Sequence, residues 1–230
     1  MPDFEVPQHI GFIVDGNRRW ARHHGLPAYE GHMAGYNALK DVALATLEAG
    51  VKYASAYVFS TENWKRSEAE VSRLMGFVLK ILKADLHIFL DKDVRLRIVG
   101  SREGLDPKII TAIEEAEAKT AHGASGEFLL CFNYGGQLEI ADAIRSMMKA
   151  GVHPDEVTPE LVAEHLYAPE VPPCDVIVRT SGEQRLSNFM LWRAAYSELI
   201  FIEKFWPDMT KEDVSAILKE YLRRNRRFGG

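Results

Sequence analysis

Two rhythms of apolar and polar positions alternate along the chain. Short apolar runs over residues 10–14, 53–59, 94–99, 127–133, 175–178 and 199–202 read as strands. Between them, apolar residues return every three or four positions, the spacing of a helix with one buried face. Helices are predicted over 31–49, 68–90, 106–121, from Gly136 to near Gly151, from Thr158, over 188–196 and over 210–226. One or two further turns cover 20–25, and residues 26–30 and the proline-rich 169–173 read as loops. Gly50 closes the helix before it, and Ser67 with Glu70 forms a capping box. Alternating strands and helices predict an α/β fold with a mainly parallel sheet covered on both faces. No repeat or linker divides the chain, so residues 1–230 form a single domain.

The 68–90 segment departs from simple amphipathicity. Val71, Leu74, Met75, Val78, Ile81, Leu82, Leu86 and Phe89 form one apolar face, and Phe77, Leu79, Ile88 and Leu90 widen it. A helix this apolar is either sandwiched in a core or walls an apolar groove.

Composition narrows the function. Hydrophobic residues at 47% and charged residues at 27% are ordinary for a globular protein. A net charge of −5 argues against a nucleic-acid binder, so any anion-binding surface must be local. Cys131 and Cys174 stand in apolar surroundings and are expected to be reduced core thiols. The first residues carry no signal-peptide pattern, and no stretch nears the ~20 apolar residues of a membrane span, so a cytoplasmic location is expected.

Three polar clusters follow apolar runs. The first run ends in Asp15-Gly-Asn-Arg-Arg19, the second in Ser60-Thr-Glu-Asn-Trp-Lys-Arg66, and the fifth in Arg179-Thr-Ser-Gly-Glu-Gln-Arg-Leu-Ser-Asn188. Open α/β sheets bind ligands beyond the carboxyl ends of their strands, so these clusters are expected to share one crevice. Asp15 suits a divalent cation, Gly16 permits close backbone approach, and Arg18 and Arg19 offer planar forks for phosphate. Arg66, Arg179, Arg185, Ser60, Ser187 and Asn63 raise the anion-binding capacity beyond the needs of one monophosphate. Two phosphorylated substrates would use it, with charge-assisted bonds of roughly 1.5–3 kcal/mol each.

These motifs resemble those of the cis-prenyltransferases, of which bacterial undecaprenyl diphosphate synthase is a member. The match includes residues 9–20, Gly31-His-Met-Ala-Gly35, residues 59–66, 95–100, 133–136 and 179–192, Ala195-Tyr-Ser-Glu-Leu199, Trp206-Pro-Asp208 and Arg226-Arg-Phe-Gly-Gly230, in family order. The resemblance implies a six-stranded sheet flanked by helices, an apolar tunnel, a homodimer, and Mg²⁺-dependent addition of isopentenyl diphosphate to an allylic diphosphate, usually farnesyl diphosphate. By the same resemblance Asp15 is a catalytic metal ligand. Gly16, Asn17, Arg18, Arg19, Trp20 and His32 surround the allylic diphosphate. Ser60, Asn63, Trp64 and Arg66 belong to a closing loop, with Asn63 assisting proton loss. Arg179, Arg185 and Ser187 cradle isopentenyl diphosphate. Glu198 is a second acidic metal residue, reaching across from the dimer partner in some members. The terminal Arg-Arg-Phe-Gly-Gly implies a substrate- or dimer-related role, and release of a long hydrocarbon implies peripheral membrane contact.

The chain departs from the family pattern at Ala28, where most relatives carry an arginine that grips the allylic diphosphate. Gln184 replaces a common histidine. Val58 stands where long-chain bacterial enzymes often have alanine, and the 68–93 region shows no insertion, so products up to about undecaprenyl length are expected. His23, His24, His87 and His165 read as surface groups. Two rival readings remain. A non-catalytic partner subunit would lack the strand-end aspartate and the loop asparagine, and a phosphohydrolase would carry a second acid where Asn17 stands.

Overall fold

The structure is a computed structural model and describes residues 6–224. Its strands are β1 (His9–Ile13), β2 (Tyr53–Ser60), β3 (Val94–Val99), β4 (Gly126–Tyr134), β5 (Val176–Arg179) and β6 (Glu198–Phe201). Its helices are α1 (Asn17–His23), α2 (Ala28–Glu48), α3 (Glu68–Leu82), α4 (Leu86–Asp91), α5 (Pro107–Thr120), α6 (Gly136–Lys149), α7 (Pro159–Glu164) and α8 (Lys211–Arg223). The sheet order is β3-β4-β2-β1-β5-β6 and every neighbouring pair is parallel. The expected mainly parallel sheet is therefore parallel throughout.

All six strands thus end on one side. From β1 the chain lays down β2 alongside, goes out to β3, returns to insert β4 between β2 and β3, then crosses to the other flank for β5 and β6. The direction reverses between β1 and β5, and a crevice opens beyond strand ends where the connections diverge. Asp15 follows β1 and Arg179 ends β5, so two of the polar clusters meet at this point.

Alternation along the strands divides the core. Ile10, Phe12, Ala54, Ala56, Leu96, Phe128, Leu130 and Val178 pack on one face with α2, α3, α5 and α8. Tyr57, Leu129, Cys131, Cys174, Ile177 and Phe189 pack on the other. Both cysteines are free and buried.

Three predicted elements differ. The 68–90 helix is broken into α3 and α4, because Asp85 is drawn out of it. Its N–H reaches the Lys80 carbonyl at 3.0 Å, and its carboxylate accepts from Tyr36 Oη at 2.6 Å and Lys40 Nζ at 2.5 Å on α2. Only Val78, Ile81 and Leu82 of α3 are buried, so it is not sandwiched in the core. α2 starts at Ala28, preceded by Pro27, which lacks only an amide that a helix start leaves unpaired. Residues 188–196 form turns, since Ser187, Asn188 and Met190 have φ of 49°, 67° and 44°. Arg226 and Arg227, in the terminal motif, lie outside the described residues.

His9 opens β1 and is fully buried. Its Nδ1 donates to the Pro172 carbonyl at 2.9 Å, which leaves Nε2 to accept from Ser55 Oγ at 2.6 Å. Burial pulls its pKa down to about 4. The unfolded chain, with a histidine near 6.5, therefore binds the proton first as pH falls. Stability should fall between pH 6.5 and 4 by about 3 kcal/mol from this group and level off below. Denaturant titrations across that window should show the slope reduced by one proton in a His9→Gln variant.

Candidate active site

Asp15 is clamped by its backbone. Its N–H donates to Thr180 Oγ1 at 3.1 Å, and its carbonyl accepts from Thr180 Oγ1 at 2.7 Å and from the Trp206 N–H at 3.0 Å. The fixed carboxylate faces two guanidinium groups, Arg179 Nη2 at 2.9 Å and Arg19 Nη2 at 3.3 Å. Gly16 follows with φ of 108°, and a Cβ there would lie 2.8 Å from the Phe205 ring. Only glycine makes this turn without strain. It starts α1, whose first amides have no acceptor within the helix, and Arg18 and Arg19 of that first turn line the crevice.

α1 is seated against α2 through the pair Gly31 and Gly35. A Cβ on Gly31 would lie 2.0 Å from the Asn17 carbonyl oxygen, and one on Gly35 2.3 Å from Asn17 Oδ1. Their spacing of four places both on one helix face.

The third cluster is organised by Arg179, whose side chain is 5% exposed. Its Nη1 donates to the Arg185 carbonyl and to Ser187 Oγ, both at 2.6 Å. Its Nε is buried without a protein partner. Arg19 donates to Ser181 and pairs with Glu183 at 3.2 Å, and Glu183 also holds Arg185 at 2.5 Å. Asn188 secures the loop, accepting from the Gln137 N–H at 2.8 Å and donating to Glu62 at 3.1 Å.

The second cluster forms a short 3-10 turn over Thr61–Lys65. Asn63 Oδ1 accepts the Ser60 N–H at 3.1 Å. Arg66 pairs with Glu70 at 2.9 Å. Glu70 also faces His32 at 3.6 Å and Arg18 at 3.9 Å, so one carboxylate at the start of α3 gathers groups from α1, α2 and the 3-10 turn. Burial lowers the His32 pKa, and its Nε2 has no hydrogen-bond partner.

One cavity of about 830 Å³ joins these parts. Asp15, Gly16, Asn17, Arg18, Arg19, His32, Ser60, Asn63, Arg66, Arg179, Arg185 and Ser187 line its polar end. Its other end is apolar, walled by Leu39 of α2, Val58 and Phe59 of β2, Leu130 of β4 and Leu74, Phe77, Val78 and Ile81 of α3. The groove-wall reading of α3 thus holds.

Trp20, Trp64 and Glu198 are not brought to this lining. Trp20 points along α1 to Asp208, 2.6 Å from its Nε1. Trp64 donates to Asn133 Oδ1 at 2.8 Å. Glu198 begins β6 in register with Val176, at the opposite end of the sheet from Asp15, and pairs with Arg224 at 2.9 Å. Ala28 does not border the cavity either, whereas Arg22 of α1 does. The motifs did not single out Arg22, Thr180 or the gathering role of Glu70. Arg22 has a visible signal, since it lies one turn beyond Arg18 on the same helix.

Among the described residues, no three Asp, Glu, His or Cys side chains converge to hold a metal. Asp15 offers one carboxylate. Mg²⁺ commonly takes one or two carboxylates, waters and substrate phosphate oxygens, so this donor set fits that ion in company with a diphosphate.

The family profile for putative undecaprenyl diphosphate synthase matches residues 13–229. The chain belongs to that family. It is 44% identical to an isoprenyl transferase of Thermotoga maritima, over 98% of this chain and 97% of that protein. It is 45% identical to a decaprenyl diphosphate synthase of Mycobacterium leprae, over 98% of this chain and 77% of that protein. The lavandulyl diphosphate synthase of Lavandula x intermedia, solved with dimethylallyl diphosphate, superimposes with a TM-score of 0.93 at 31% identity, covering 98% of this chain and 99% of that one. The activity is that of a cis-prenyltransferase of the polyprenyl diphosphate synthase type, a family whose substrates are isopentenyl and allylic diphosphates. No helix among the described residues is long and apolar enough to cross a membrane.

Proposed function

We propose that the enzyme extends farnesyl diphosphate with isopentenyl diphosphate to a Z-polyprenyl diphosphate of up to about undecaprenyl length. The observation that carries this reading is that one cavity is arginine-lined at one end and apolar at the other. A diphosphate with a hydrocarbon tail has the same polarity along its length. The lavandulyl enzyme's complex with dimethylallyl diphosphate supports an allylic diphosphate in this cavity.

In each cycle the allylic C–O bond breaks and diphosphate leaves with the electron pair. The isopentenyl double bond supplies the electrons of the new C–C bond, and a proton is lost to form the new double bond. Arg19, Arg18 and the α1 amides hold the allylic diphosphate and stabilise its growing charge. Arg179, Arg185 and Ser187 hold isopentenyl diphosphate, which fixes the two reacting carbons in one orientation. Asn63, locked by the Ser60 N–H, orders the group that takes the proton. Asp15 would hold Mg²⁺, which when bound supplies further neutralisation of the leaving diphosphate. The diphosphates can take over the guanidinium donors that Asp15 now occupies. Each five-carbon unit moved into the apolar end gains up to ~4 kcal/mol, at ~0.8 per carbon.

A homodimer completes the reading. Ile144 and Met148 on α6 and Leu199 on the edge strand β6 are exposed, and Glu198 adjoins Leu199. A second copy covering these side chains gives Glu198 the place beside a partner's site that its own protomer denies it. Sedimentation should return the mass of two chains. Peripheral contact with a lipid surface then offers the long hydrocarbon an apolar phase on release, and the site needs only cytoplasmic substrates.

The deciding experiment incubates the protein with farnesyl diphosphate, labelled isopentenyl diphosphate and Mg²⁺, and sizes the dephosphorylated products. Cis-elongated product is expected, and chelation of Mg²⁺ or an Asp15→Asn change should lower turnover by about 10²–10³-fold. Absence of product with farnesyl, geranyl or dimethylallyl primer would leave the non-catalytic partner-subunit reading in its place. An Ala28→Arg variant should bind the allylic diphosphate more tightly by roughly 10–100-fold, read as a lower KM for that substrate alone.

A further inference from the structure

Leading away from the phosphate end, the seam between α2 and α3 is built in three layers. His32 of α2 faces Glu70 of α3 in the first. One turn further along α2, Tyr36 stacks on Phe77 of α3, with ring centroids 5.6 Å apart and planes inclined by 26°. Another turn on, Lys40 meets Asp85, which lies just past the end of α3.

The third layer braces the second. Tyr36 Oη donates to Asp85 Oδ2 at 2.6 Å, and Lys40 Nζ donates to the same oxygen at 2.5 Å. The ammonium groups of Lys40 and Lys80 lie 4.7 and 5.0 Å from the centre of the Tyr36 ring. Tyr36 is 6% exposed, and the Lys40 and Asp85 side chains are 15% and 14% exposed. Burial and the Asp85 carboxylate both raise the phenol's pKa, so Tyr36 stays a hydrogen-bond donor at any physiological pH.

Tyr36 and Phe77 also line the apolar cavity. A hydrocarbon lengthening along this seam meets two stacked rings with two ammonium groups and a carboxylate behind them. To pass, it must part the rings, break the Tyr36–Asp85 bond and strip further water from the charged cluster. Isoprenoid carbon offers those groups no replacement partner. Leu39, Val78, Ile81 and Leu130 line the same cavity with Tyr36 and Phe77, so the two rings stand in the wall that the lengthening tail meets.

We propose that Tyr36, stacked on Phe77 and tied to Asp85, closes the α2–α3 seam to the growing chain and thereby limits product length. This rests on the polyprenyl diphosphate synthase reading above. Tyr36 is a specificity-determining residue here, because it meets the tail of the product and not its reacting carbons.

The test compares product lengths from the wild type and from Tyr36→Ala, at a fixed ratio of farnesyl to isopentenyl diphosphate. Length distribution is independent of the fraction of enzyme that is active, so partial loss of fold does not distort it. The variant should shift the main product upward by at least one five-carbon unit. Tyr36→Leu, smaller yet apolar, covers the case in which the alanine variant does not fold, and Asp85→Asn should shift the distribution in the same direction by loosening the ring. Products of wild-type length from the Tyr36 variants that turn over would overturn the proposal. A wild type that makes no polyprenyl product overturns the underlying reading instead, so the two failures are told apart by the control lane.

Discussion

A guanidinium that is almost wholly buried needs its charge answered from within the protein. Arg179 has that need at the end of β5, and Asp15 at the end of β1 meets it at 2.9 Å. The pair bridges the point where the sheet's connections diverge, and the other arginines of the crevice are arranged about it. The remaining nitrogens of Arg179 fix the Arg185–Ser187 loop, while Thr180, the next residue, fixes the backbone of Asp15. One ion pair thus sets the separation of the clusters that follow β1 and β5. Asp15 occupies guanidinium donors of both Arg19 and Arg179, so the crevice is pre-shaped by the protein's own carboxylate.

The other half of the cavity depends on incomplete packing. α3 buries only three residues, and its other large apolar side chains are left half-covered along a groove. Left open to water this would be unfavourable, and a hydrocarbon filling the groove removes that cost. The helix is held mainly by polar contacts at its two ends, Glu70 to Arg18, Arg66 and His32, and Asp85 just beyond its last turn to Tyr36 and Lys40. The middle remains free for ligand.

Much of this was legible in the amino-acid order. Strands read clearly because a strand buried on both faces is a continuous apolar run, and the clusters at residues 15–19 and 179–188 read as site residues because they interrupt such runs abruptly. The width of the apolar arc on α3 left a core sandwich and a groove wall both open, and the contacts of α3 in the fold decide for the groove. What escaped prediction depends on partners distant in sequence. Asp85 breaks its helix because Tyr36 and Lys40 wait on another element, and Thr180 matters because Asp15 lies 165 residues away. The turns near Ser187 looked helical by spacing, yet left-handed backbone at three positions is set by what the loop must grip. Glu198 depends on more than one chain, since its motif implies a metal role reached across a dimer and the strand register sets it at the far end of the sheet from its own Asp15.

The contact at Gly31 and Gly35 gives the arginines of α1 a mechanical dependence on packing thickness. α1 has 7 residues and α2 has 21, so any wedge driven between them tilts the shorter helix. Arg18 and Arg19 sit at the end of that helix where the wedge would enter, and their long side chains magnify a small rotation into a large displacement of charge. The two missing side chains therefore work as a spacer gauge. A single methyl at the gauge would press on Asn17 at the head of α1 and turn the arginines beside it without replacing any of them.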